Sequence, residues 1–170
     1  MKNTNSSPTA SRSALVPSLV GLLALACASV RAADPPSPEP PTYTWSAELV
    51  AFDKGANTVT VKSRLVSDAP DIQGLKPGDA AMLTWSGIST AAGVRAIEKG
   101  SKSSYDHMSM PVEFVKEEGR YVSFKVPIPA KGATALANIK PGNYVTATSP
   151  QHPKSAKEAV SDIRAYTDVH

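Results

Sequence analysis

The sequence predicts an all-β domain, a small closed or partly open barrel of about six to eight strands built from two duplicated β-rich halves. Three observations carry this. Apolar side chains alternate with polar ones over several short stretches. Turn-forming residues separate those stretches. The order of strands and turns in the first half recurs in the second.

The chain opens with the three parts of a secretory signal, over residues 1–33. Lys2 and Arg12 charge its start, and residues 14–28 form an apolar run interrupted by Pro17. That run is too short to span a bilayer comfortably. Ala26-Cys27-Ala28 and Val30-Arg31-Ala32 both offer a small-x-small cleavage site. Cys27 is the single cysteine. It would anchor the chain to a membrane if lipidated, although Ala24 and Leu25 put the expected lipoprotein box one position out of step. The expected destination is therefore periplasmic or secreted, with a lipoprotein anchored through Cys27 as the alternative.

Residues 34–42 hold five prolines in nine positions. Such a stretch favours extended polyproline II and acts as a stiff spacer. The domain proper is expected over residues 43–170, with repeat halves at about 43–104 and 105–170.

Val59, Val61 and Leu65 in the first half, and Val122, Phe124, Val126 and Ile128 in the second, alternate with polar neighbours. Period two marks strands with one buried face. Pro127 and Pro129 argue that the second of these lies toward a sheet edge, because proline donates no ladder hydrogen bond. Asp53-Lys54-Gly55-Ala56-Asn57 and Lys116-Glu117-Glu118-Gly119 read as hairpin turns. Lys76-Pro77-Gly78-Asp79 and Lys140-Pro141-Gly142-Asn143 read as turns in which glycine takes a positive φ. The one helix candidate is short, at 155–159.

The repeat rests on order and spacing. Val59 and Lys62 recur as Val122 and Lys125, 63 residues on, and Lys76-Pro77-Gly78 recurs as Lys140-Pro141-Gly142 after 64. Val94 and Ile97 recur as Val160 and Ile163 after 66. The aligned inner positions are Ala81, Leu83 and Trp85 in one half and Val145, Ala147 and Ser149 in the other, so Trp85 against Ser149 is the main break in symmetry.

The full chain carries a formal charge of +3, but three of its basic residues precede the cleavage region. The mature domain balances 15 basic against 15 acidic residues. It lacks the basic footprint that nucleic acid or anionic lipid requires. No His-Glu-x-x-His, Gly-x-Ser-x-Gly or phosphate-loop pattern occurs. Glu117-Glu118 sits in a turn, where two carboxylates are solvated.

One segment concentrates soft ligands. Tyr105-Asp106-His107-Met108-Ser109-Met110-Pro111 places an imidazole and two thioethers within four residues. Thioether and imidazole suit Cu(I) or Ag(I). In an extended strand Met108 and Met110 share a face that His107 does not, so a site using all three needs a bend before Met108. The Met-Ser-Met step, beside a small barrel with Pro-Gly turns, resembles that of periplasmic copper/silver chaperone barrels. The resemblance implies soft-metal binding and covers about four residues. It departs from that pattern in two ways: His107 is adjacent rather than upstream, and Trp45 and Trp85 are distant in sequence. A second candidate set is aromatic: Tyr43, Trp45, Trp85, Tyr121 and Tyr144 fall on strands and could stack on sugars or bases.

The sequence thus predicts an exported, non-enzymatic cell-envelope module, without a cofactor, that binds an envelope protein or small ligand or stabilises an assembly. The alternative is a Cu(I)/Ag(I) protein using His107, Met108 and Met110.

Overall fold

The computed structural model describes residues 41–86, 93–102 and 108–167. The segment expected to be a signal, Cys27, most of the spacer and His107 lie outside them. The described residues form one antiparallel sheet of eight strands, in the order β4-β3-β5-β6-β2-β1-β7-β8. The strands are β1 (Thr42–Asp53), β2 (Thr58–Arg64), β3 (Ala80–Trp85), β4 (Val94–Lys99), β5 (Ser109–Glu118), β6 (Tyr121–Pro127), β7 (Tyr144–Pro150) and β8 (Asp162–Ala165).

Alternation in sequence becomes alternation in burial. In β1, Tyr43, Trp45, Ala47 and Leu49 face inward, while Thr44, Ser46 and Glu48 face outward. Val59, Val61, Leu83, Val122, Phe124 and Val145 are all fully buried, and so are Ala81, Trp85, Ala147 and Ser149. Burying the aliphatic and aromatic side chains contributes roughly 1.5–3 kcal/mol each.

The sheet curls onto itself around this core. Trp45 and Trp85 lie on β1 and β3, four strand steps apart in the sheet order. A flat sheet would separate those strands by about 19 Å, yet the two indoles stack with centroids 5.1 Å apart. Phe124 packs against both, at 6.1 Å and 6.0 Å. Stacked pairs of this kind add about 0.5–1.5 kcal/mol beyond their area. The order nevertheless ends at β4 and β8, which do not pair with each other.

Two sequence expectations need correction. β6 is not at an edge: it lies between β5 and β2. Pro127 is tolerated because it is the last residue of the strand, opposite Thr58. The helix is not at 155–159, where only a 3₁₀ turn forms, Ala156–Glu158. It is α1 (Ala130–Leu136), which starts after Pro129 and packs on β8. Gly132 allows this contact, since a Cβ there would meet Ile163 Cγ2 at 2.5 Å.

The two halves use matching connections. Exchanging β1–β4 with β5–β8 and reversing the order returns the same order of strands. β2 and β6 pair about Val61 and Phe124. Each hairpin carries one irregularity at a corresponding place, between Leu49 and Ala51 in β1 and between Phe114 and Lys116 in β5. Gly78 N donates to Phe114 O and Gly142 N to Leu49 O, both at 2.8 Å. The two turn glycines have φ of +90° and +91°, the positive values that the Pro-Gly pattern predicts. Leu65 N donates to Arg120 O at 2.8 Å, and Ile128 N to Asn57 O at 2.9 Å.

Candidate functional site: a tyrosine-walled cleft

Three large hydrophobic side chains stand exposed among the described residues: Tyr121, Tyr144 and Tyr166. All three line a single cleft of about 1140 Å³ on the sheet's outer face. Register places them there. Arg64 of β2 lies opposite Tyr121 of β6, and Lys62 of β2 lies opposite Glu48 of β1. Glu48 in turn lies opposite Tyr144 of β7, and Tyr166 follows β8, with its N–H on Tyr144 O at 3.0 Å. The result is a row across the strands, with aromatic rings at both ends and charges between.

The rings are held by specific contacts. Tyr144 and Tyr166 meet edge to face, centroids 6.3 Å apart. Lys62 Nζ sits 5.6 Å from the Tyr121 centroid and 2.9 Å from Glu48 Oε2. The hydrogen bond to Glu48 is the main reason that Lys62 titrates above the ordinary lysine value. The cleft also has a polar wall: the Ser46 hydroxyl lines it, 3.2 Å from that of Thr146. Asn138 and Asn143, from the segment between α1 and β7, add amides at the rim. Arg64 is exposed and has no acidic side chain in ion-pair range among the described residues.

Of the aromatic residues singled out in the sequence, Tyr43, Trp45 and Trp85 belong to the core, and Tyr121 and Tyr144 to the cleft. Sequence reasoning missed Tyr166. Its only signal was a tyrosine just beyond the final strand, and the pairing of β8 with β7 brings it beside Tyr144.

The methionine segment lies elsewhere. Met110 is fully buried, and Ser149 Oγ donates to its sulfur at 3.9 Å. Met108 is partly buried against the core, and its φ of +53° bends the chain where β5 begins. His107 lies outside the described residues, so its place beside the thioethers is not defined. No group of three or more His, Cys, Asp or Glu side chains comes together among the described residues.

Two polar atoms in the core, Tyr43 OH and Trp85 Nε1, make no hydrogen bond of ordinary geometry. Burial pushes the Tyr43 phenol above its ordinary value, and the Ser149 hydroxyl nearby offsets this only in part.

Compared with known proteins, the chain matches no family model, no curated protein and no solved structure.

Proposed function

We propose that this protein is an exported, non-enzymatic cell-envelope module that holds an extended ligand in the tyrosine-walled cleft. One observation carries the reading: every exposed large hydrophobic side chain among the described residues lines the same cleft. Exposed aromatic surface is costly unless it is covered part of the time, and tyrosine offers large, rigid contact area at low entropic cost. Tyr, Ser, Thr, Asn and Gly around one cleft is the composition of a binding surface that combines stacking with adaptable hydrogen bonding.

The same reading takes the sheet as a partly open barrel that arose by duplication of residues 43–104 into 105–170. The exchangeable strand order, the paired irregularities and the matched hydrogen bonds of the two Pro-Gly turns support it. In the core the copies have diverged: Trp85 in one corresponds to Ser149 in the other.

The test is a titration of the full chain with soluble envelope glycans and peptides, followed by calorimetry. Binding should be lost in a Tyr121→Ala/Tyr144→Ala/Tyr166→Ala variant whose circular dichroism is unchanged. Binding that survives the triple substitution would place the ligand elsewhere and sink the proposal.

One observation favours a second reading, Cu(I) or Ag(I) at His107, Met108 and Met110: the bend that such a site needs occurs at Met108. Titration with Cu(I) against a competing chelator tests it. A stoichiometric site that disappears in Met108→Leu/Met110→Leu supports the metal reading, and equal binding by both proteins removes it.

A further inference from the structure

Resting on the cleft as the binding site, we infer that its ligand is a glycan chain bearing a carboxylate, with its sugar rings on the tyrosines and the carboxylate on Arg64.

Size argues first. A cleft of about 1140 Å³ exceeds the roughly 300–1,000 Å³ of an ordinary small-molecule pocket. The row from Tyr121 on β6 to Tyr166 beyond β8 crosses four strand steps, about 19 Å measured along the sheet. A monosaccharide cannot touch both ends, whereas an oligosaccharide can.

Chemistry argues next. One face of a pyranose ring presents C–H groups, which suit the negative face of a tyrosine ring. Its edges present hydroxyls, which need donors and acceptors such as Ser46, Thr44 and Asn143. A peptide fits less well. β1, β2, β6 and β7 are paired on both sides, and β8, whose outer edge is free, is only four residues long, so little ladder is left to extend. The aromatic rings are displayed on the surface rather than walling apolar sockets for anchor side chains.

Charge selects the substituent. Glu48 neutralises Lys62 at 2.9 Å, which leaves Arg64 as the unbalanced cation of the row. A guanidinium binds a carboxylate through two parallel hydrogen bonds. A phosphate monoester carries about −1.5 to −2 and would call for more than one free cation. Nucleic acid would need a basic stripe, which this cleft lacks.

The experiment uses the full chain and three probes, with binding measured by calorimetry. The probes are a tetrasaccharide of β-1,4-linked N-acetylglucosamine, the same backbone with lactyl carboxylates on alternate sugars, and a proline-rich decapeptide. The acidic tetrasaccharide should bind about tenfold tighter than the neutral one, the increment of a charge-assisted contact. Arg64→Gln should erase that difference, while Tyr144→Ala/Tyr166→Ala should weaken both sugars. Equal affinity for the two sugars, or an Arg64→Gln variant that still prefers the acidic one, overturns the carboxylate assignment while the cleft remains the binding site. Binding of the peptide alone overturns the glycan assignment in the same way. If no probe binds, or if binding ignores the tyrosine substitutions, the cleft reading fails together with this one.

Discussion

Trp45 Nε1 donates a 2.8 Å hydrogen bond to Ser149 Oγ across 104 residues of sequence. The same hydroxyl reaches Ala159 O and the sulfur of Met110. Ser149 thus supplies the acceptor that the buried indole of Trp45 needs. Space matters as much as the bond: Trp85 stacks on Trp45, and a second large ring at position 149 would have no room beside them.

Ser149→Ala should therefore destabilise the domain by about 1–3 kcal/mol, the cost of leaving a buried donor unsatisfied. Urea denaturation read by tryptophan fluorescence gives the value. A loss below a few tenths of a kcal/mol would mean that the indole finds another acceptor.

Tyr43→Phe should behave in the opposite way. The Tyr43 hydroxyl is buried without a hydrogen bond of ordinary geometry, and the nearby Ser149 hydroxyl is already engaged by Trp45 and Ala159, so its removal should leave stability unchanged or raise it by up to about 1 kcal/mol. Comparison of the two midpoints of urea unfolding decides this.

The pH dependence has a definite sign. Tyr43 ionises above its ordinary value in the folded chain because burial disfavours the phenolate. Above about pH 10 the unfolded chain loses this proton while the folded one keeps it, so stability falls as pH rises. Asp79 shifts downward, held by Lys99 and by the backbone of Lys76. Its contribution is present above the ordinary carboxylate value and is lost as pH falls through the folded one. Thermal melts from pH 2 to 11 should show both limbs, and Tyr43→Phe should flatten only the alkaline one.

Gly93→Ala and Gly78→Ala should separate two costs. Both glycines have positive φ, at +105° and +90°, but a Cβ at 93 would lie 2.3 Å from Arg64 O, whereas nothing lies within 4 Å at 78. Gly78→Ala should cost about 1–2 kcal/mol from backbone conformation alone. Gly93→Ala should cost about 1–3 kcal/mol more, because a backbone atom must shift. Equal losses would show that the strand ends absorb the clash.

Residues 43–104 produced alone should not fold. Their strands β3 and β2 are separated in the sheet by β5 and β6 from the other half. Circular dichroism of that fragment should show no stable sheet, and mixing it with residues 105–170 should restore one. A folded fragment would contradict the interleaved order.

Much of the fold was legible because period two needs no tertiary knowledge. Val59, Val61, Val122 and Phe124 declared their strand and their inward face together, and each Pro-Gly pair declared its turn. The helix was not legible: Ala130–Leu136 contains Gly132 and spans only two turns, so contact with Ile163 rather than propensity decides it. The cleft was half legible. Tyr121 and Tyr144 alternate on strands, but alternation does not say which aromatic set faces the core, and Tyr43, Trp45 and Trp85 took that role. Closure of the curl depends on twist and on how side chains meet across the interior, which pattern alone does not encode.

The seams of the sheet also set a timetable. β3 pairs with β5, β2 with β6 and β1 with β7, so each strand of the first three waits for a partner made later. Trp45, near the start, has no acceptor until Ser149 is synthesised. Pairings so distant in the chain form slowly. A chain arranged in this way becomes a domain only after nearly all of it has been made.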